Sequence, residues 1–278
     1  MTILHPSAAV VHGKTSRLVV ITPPSASIPD EPRWLNQMLD AGLEAAHVRK
    51  PGWSEEQLRA YVSQISLQHR PKLRIHSHHH LANEMGIGGI HYPAAVLPKL
   101  PLQPALTAEG RQLLQSTSFH MLSDLQGKGH YGALDYAFLS PVFDSISKQG
   151  YTAAAFDRGQ LRARLAALAA PPDPAAAPCC TPATSPPTAQ QQRLQTDQCQ
   201  SSSSCSSSAS DRRQHVAGAR SGPAVIALGG ISAANIREAL RLGFDGAAVL
   251  GAVWVLGGGV TPVTQLQQLL KAMNCSKV

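Results

Sequence analysis

Ala224-Val225-Ile226-Ala227-Leu228-Gly229-Gly230-Ile231-Ser232 decides the architecture. The apolar run reads as a buried strand, two glycines close it, and Ser232 opens an amphipathic stretch reaching Leu242. The pattern repeats at once. Residues 246–250 are a second buried strand, Gly251-Ala252 closes it, and residues 261–273 carry helical periodicity. Two such units in succession are the pattern of a parallel sheet. Reading back toward the N-terminus, strands are expected at 17–22, 45–49, 72–77, 89–92, 116–119 and 136–143. Helices are expected at 31–41 and 157–169, with a weakly helical patch at 110–115. A further helix follows Ser54, where Ser54-Glu55-Glu56-Gln57 forms a capping box and Leu58, Tyr61, Val62 and Ile65 form an apolar stripe. Eight strand–helix units predict an α/β fold, a (β/α)8 TIM barrel, with an open doubly wound sheet as the alternative.

One segment interrupts the pattern. Residues 170–222 are rich in Pro, Ala, Gln and Ser, and no aromatic residue occurs between Phe156 and Phe244. Such text buries too little apolar surface to offset its ordering entropy, so a disordered insertion is expected between the sixth helix and the seventh strand. The domain reading is therefore a flexible tail at 1–16, one barrel from 17–169 plus 223–274, and the insertion. The junction lies on the N-terminal face of a barrel, where loop-closure entropy tolerates a long excursion. Cys179, Cys180, Cys199 and Cys205 fall in this segment, at a spacing that matches no zinc ligand set.

The chain has 278 residues, 43% hydrophobic and 15% charged, which excludes collagen-like and wholly disordered classes. No stretch has the roughly 18 uncharged apolar residues of a membrane span. The region before Asp30 lacks acidic residues and contains several Ser and Thr, which leaves cytoplasm and plastid both open. A net charge of +7 suits anionic partners. The basic residues are scattered and aromatics are few, so small phosphorylated molecules are favoured over nucleic acid.

Chemistry in a barrel gathers at the C-terminal ends of its strands. The glycines after 224–228 and 246–250 would let backbone approach a phosphate. After 136–143 come Ser145, Ser147 and Lys148, which could neutralise a second one. Alternation puts His47 and Arg49 on one face. It would also gather His76, His78 and His80 into a metal-ligand set if the strand continued, although a helix start near His79 breaks the period. His47, His76, His91 and His120 all close strands, and the residues alone do not choose an acid–base among them.

Ile21-Thr22, Ala46-His47-Val48-Arg49-Lys50-Pro51-Gly52, Gly88-Gly89-Ile90-His91, Ser118-Phe119-His120, the stretch 139–148, Ile226-Ala227-Leu228-Gly229-Gly230-Ile231 and Val249-Leu250-Gly251-Ala252 resemble the thiamine-phosphate synthase/TenI superfamily. The resemblance spans the chain apart from the tail and the insertion. It implies a (β/α)8 barrel and small phosphorylated substrates: a thiazole phosphate, and in the synthases a pyrimidine diphosphate with Mg2+. Carried over position by position, it implies Arg49 at the pyrimidine diphosphate, with Lys50 just before Pro51, which stands where the family has its Lys; the family's binding Ser falls on Ser118, and its two Thr and Lys fall on Ser145, Ser147 and Lys148. It implies Gly229, Gly230, Leu250 and Gly251 at the thiazole phosphate. A homodimer is compatible with it.

The departures carry more information. Where the synthase pattern has Gln, Asn-Asp and a second Asp, this chain has His47, His76-Ser77 and Val96, so the magnesium carboxylates are missing and no metal ligand is assigned. The tautomerase branch has a His before Val-Phe, where this chain has Pro141. The resemblance thus implies an enzyme of thiamine biosynthesis, closer to the thiazole tautomerases, with His47, His76 and His120 as candidate acid–bases. A synthase and a non-catalytic binder of thiamine precursors are the alternatives.

Overall fold

Alternate residues of each short strand divide between two cores. Val19, Ile21, Tyr136, Phe138, Ile226 and Ala248 pack together in one cluster, while Leu18, Val20, Ala137, Val225 and Val249 pack in another with the helices. This is the two-sided burial of a closed parallel sheet. The structure is a computed structural model that describes residues 17–93, 95, 102–126, 131–144, 156–171, 220–255 and 259–274. The tail, most of the insertion, and the candidate residues Ser145, Ser147 and Lys148 lie outside the described residues.

The strands are β1 (Arg17–Ile21), β2 (Ala45–Val48), β3 (Leu73–Ile75), β4 (Gly89–Tyr92), β5 (Ala105–Leu106), β6 (Gln112–Phe119), β7 (Tyr136–Leu139), β8 (Ala224–Leu228) and β9 (Gly246–Val249). All except β5 pair in parallel, and pairing of β4 with β6 and of β1 with β9 closes the sheet into a barrel. The helices are α1 (Glu31–Asp40), α2 (Glu55–Ser63), α3 (Leu81–Glu84), α4 (Arg158–Ala169), α5 (Ile236–Leu242), α6 (Gly251–Trp254) and α7 (Pro262–Asn274). Leu35, Met38 and Leu39 of α1, and Leu161, Leu165 and Leu168 of α4, are the buried stripes that helical spacing predicts. The capping box at Ser54 is formed.

Ala170 and Ser221 both belong to the barrel unit. The Ser221 amide donates to the Ala170 carbonyl at 2.8 Å, so the chain leaves and re-enters the barrel at one point.

Three local expectations change. The patch at 110–115 is not helix: Gly110 and Arg111 finish a turn from Thr107, and 112–115 begin β6, onto which β5 folds back antiparallel. The strand expected at 136–143 ends at Leu139, just before Pro141, which has no N–H for a ladder. The helix expected from Ser232 begins at Ile236, because the Asn235 side chain accepts from the Ser232 amide and donates to the Gly230 carbonyl.

Gly89 has a packing reason. A Cβ there would lie 2.6 Å from Arg74 Cδ, so glycine leaves room for an arginine inside the barrel. The register places Gly89 beside Arg74 and Arg74 beside His47.

Candidate active site

β2, β3 and β4 each turn a histidine inward at their C-terminal ends: His47, His76 and His91. His47 and His91 are buried and His76 is half-buried. Strand parity accounts for the grouping, because neighbouring parallel strands bring same-face residues side by side. The Nδ1 of His47 lies 2.9 Å from Nε2 of His76, and the Nε2 of His47 lies 2.5 Å from the Tyr136 hydroxyl. His91 bridges two serines of β6, with Nδ1 2.9 Å from Ser116 Oγ and Nε2 3.1 Å from Ser118 Oγ.

Above these rings a pocket of about 310 Å³ opens, lined by Ile21, Arg49, Lys50, Pro51, His76, Ser77, His91, Pro93, Ser118, Phe138 and Leu228. Arg49 is exposed at its mouth, and its backbone amide is held by the Thr22 hydroxyl at 3.0 Å. The floor is thus neutral and nitrogen-rich, the rim is cationic, and Ile21, Phe138 and Leu228 form an apolar wall. A small anion with a flat heterocyclic body fits that division of surface.

Burial sets the charge of the imidazoles. Desolvation, reinforced by the neighbouring rings, holds His47 well below the usual imidazole range. His76 is lowered to about 2 by burial, with His91 and Arg49 adding to it, and His91 is lowered to about 3 by burial, with His79 and Arg49 adding to it. All three are neutral at neutral pH. The unfolded chain protonates these groups near pH 6.5, whereas in the folded chain His76 and His91 resist until about pH 3 or below and His47 is shifted the same way. Between those values the unfolded state binds more protons, so stability falls as pH falls. Each group adds a slope of up to about 1.4 kcal/mol per pH unit. The chemical-denaturation midpoint is therefore expected to drop steadily from pH 7 to pH 5, and a midpoint unchanged over that range would show that the folded rings take up protons as readily as the unfolded chain and are not held neutral by burial.

His78, His80 and His120 lie elsewhere. His78 reaches the Trp53 carbonyl at 2.9 Å and His80 reaches Glu55 at 2.9 Å, so the set of His76, His78 and His80 does not assemble. The cause is local: His78 has φ 49°, which ends the alternation. His120 is exposed, hydrogen-bonds the Ser140 carbonyl at 3.0 Å, and does not line the pocket. Lys50 borders the pocket, but its ammonium is committed to Glu31 at 2.7 Å and to the carbonyls of Pro23 and Ser25 at 2.8 and 3.2 Å. It does not face the pocket as an anion ligand, contrary to the expectation for it. Ser118 lines the pocket. Gly229, Gly230, Leu250 and Gly251 sit at the ends of β8 and β9 and are not among the lining residues. Gly230 has φ 63°, and a Cβ there would meet the Asp144 carbonyl at 2.1 Å, so the turn itself requires glycine.

Two participants were not chosen from the sequence. His91 is one of four strand-end histidines that the sequence leaves undistinguished, and nothing in the sequence around Tyr136 marks it as a site residue beyond its parity with Phe138 two residues on.

One nitrogen from each of His47, His76 and His91 lies within 4.8 Å of the others, which is the donor type of a zinc site. Ring orientation opposes that use. His76 and His91 stack with centroids 4.1 Å apart and planes 25° apart. An imidazole ligates through a lone pair in its own plane, and planes so nearly parallel do not meet within bonding distance of one ion. One ring would have to turn.

A sequence profile for a family described as thiamine monophosphate synthase matches residues 18–171. Among solved structures, the chain is similar to thiamine phosphate pyrophosphorylase from Bacteroides thetaiotaomicron, with 21% identity, a TM-score of 0.56, and coverage of 92% of this chain and 96% of that one. It is also similar to thiamine phosphate pyrophosphorylase from Pyrococcus furiosus, with 16% identity, a TM-score of 0.55, and coverage of 92% and 95%. At such identities these two likenesses speak for the fold. No curated protein matches the sequence. No helix among the described residues is long and apolar enough to cross a membrane.

Proposed function

This chain belongs to the thiamine monophosphate synthase/TenI family, and from that premise we propose that it is an enzyme that binds a thiazole phosphate and shifts a proton on it. The observation that carries the reading is the floor of the pocket: neutral imidazoles of His76 and His91 face the ligand space, with His47 hydrogen-bonded behind them. Neutral imidazoles accept and donate protons, and Arg49 at the mouth supplies positive charge for a phosphate or carboxylate.

The synthase reading needs Mg2+, a hard cation that takes oxygen ligands, chiefly carboxylates and substrate phosphates. No carboxylate lines the pocket among the described residues. Residues 94, 96–101 and 145–155, which follow β4 and β7 outside the described set, contain no Asp or Glu in their sequence. Nitrogen donors and a cationic rim do not fit this ion, so no step is assigned to it.

The test mixes purified protein with thiazole phosphate, pyrimidine diphosphate and magnesium, and follows thiamine phosphate by fluorescence after oxidation. The expected result is no product above a protein-free control. Product that disappears on chelation would establish the synthase in place of the proton-transfer reading.

A further inference from the structure

We propose that His76, His47, Tyr136, Ser116, His91 and Ser118 form one hydrogen-bonded proton relay that leaves the pocket at His76 and returns to it at Ser118. It takes a proton from one atom of the substrate and gives one to another without burying a charge. The proposal rests on the proton-transfer reading above and names the groups and the route.

The links follow one another through the barrel interior. His76 meets His47 at 2.9 Å and His47 meets Tyr136 at 2.5 Å. Ser116 and Tyr136 are register partners on β6 and β7, which sets their side chains next to each other, and the Ser116 hydroxyl, 3.4 Å from the Ile90 carbonyl at rest, has to turn toward its neighbours for the proton to pass. His91 then joins Ser116 to Ser118 at 2.9 and 3.1 Å. His76 and Ser118 both line the pocket, while His47, Ser116 and Tyr136 are buried. Because Nε2 of His76 is used toward His47, Nδ1 is the nitrogen left for the pocket. It has no hydrogen-bond partner among the described residues and is not among the sealed, unsatisfied atoms. Arg74, a donor with no acceptor atom, lies within reach of the Tyr136 oxygen. Its positive charge favours a phenolic proton turned away from it and toward the relay, which makes Arg74 a positioning residue.

Every member other than Arg74 both donates and accepts, so a proton can pass through each and leave it neutral. The substrate's bond to hydrogen breaks and Nδ1 of His76 takes the proton, while its Nε2 proton passes to Nδ1 of His47. The Nε2 proton of His47 passes to the Tyr136 oxygen, and the phenolic proton to Ser116. The Ser116 proton passes to Nδ1 of His91, and the Nε2 proton of His91 to Ser118. The Ser118 hydroxyl proton then bonds to a second atom of the substrate, using the electron pair that the first bond released and the substrate's double bond relayed. No oxidant or co-reactant is needed. Water in the emptied pocket resets the tautomers from both ends. The arrangement also explains how such weakly basic rings serve in proton chemistry, since an imidazolium never has to form in a site whose burial opposes it.

The test has two arms. In the first, 15N-histidine-labelled protein is examined by long-range 15N–1H NMR at pH 7, as wild type, Tyr136→Phe and Ser116→Ala. The expected spectra show three neutral rings, with the His76 tautomer ratio displaced in both variants, although neither substituted residue touches His76. Charged rings, or a His76 ratio unmoved in both folded variants, overturns the relay. In the second arm, a thiazole carboxylate phosphate is the substrate. Tyr136→Phe is expected to lower kcat by about 10²-fold or more with KM within about threefold, and to change a curved solvent-deuterium proton inventory into a linear one. A KM rise at unchanged kcat, or an unchanged inventory, overturns it as well. If wild type leaves this substrate untouched while the first arm succeeds, the choice of reaction fails and the hydrogen-bonded loop stands.

Discussion

Glu31→Ala is expected to destabilise the barrel by about 3–5 kcal/mol, the usual cost of stranding a buried charge. The Lys50 ammonium sits 2.7 Å from Glu31, with side chains 1% and 4% exposed. Tyr61 donates to the other oxygen of Glu31 at 2.6 Å, and the ammonium stands 5.1 Å from the Trp53 ring and 5.4 Å from the Tyr61 ring. Removing the carboxylate leaves the cation with two carbonyls and two aromatic faces in a site closed to water. Burial already lowers the Lys50 pKa, and Glu31 is what opposes the fall. In the variant the folded-state pKa drops further below its unfolded value near 10.4. The unfolded chain then holds more protons between those values, so stability recovers as pH rises. Urea denaturation at pH 7 and pH 9 measures both effects. A loss under about 1 kcal/mol at pH 7 would mean that water reaches the pair and screens it. Lys50 thus ties the end of β2 to α1 beneath the pocket rim, and its part in the site is to hold Arg49 and Pro51 in place.

His76→Ala is expected to lower kcat by about 10²–10⁴-fold, the range for loss of a positioned acid–base group. The ring is half-buried at the pocket floor, so its removal enlarges a space that water already enters. Folding should survive, and thermal unfolding of the variant checks that it does. His120→Ala serves as the contrast. That ring is exposed and bonded to the Ser140 carbonyl, and its loss should leave turnover within about threefold. Steady-state kinetics on a thiazole carboxylate phosphate decides. Equal losses in the two variants would move the chemistry out of the histidine cluster.

The barrel was legible because its signals are local. Each unit announces itself by an apolar run, a glycine or proline stop, and an amphipathic stretch. Residues 110–115 read as weak helix in the sequence because the hairpin there depends on a turn held by Thr107 and Gly110, while Leu113-Leu114 suits helix and strand alike. The site was half legible. Strand ends pointed to His47, His76 and Arg49, since chemistry in barrels gathers there. The meeting of His91 with His76 depends on how β3 and β4 pair, a property of register that no local window contains. The fate of Lys50 was equally hidden, because Glu31 lies 19 residues away on another element. A charged residue at a strand end reads as a ligand until its partner is known.

The central claim is a proton shift on a phosphorylated thiazole that needs no metal. Its most direct test follows a thiazole carboxylate phosphate tautomer by 1H NMR with enzyme and excess EDTA. Conversion into the other tautomer at an undiminished rate is the predicted result. An unchanged substrate under EDTA, together with thiamine phosphate formed once magnesium and pyrimidine diphosphate are supplied, would contradict it.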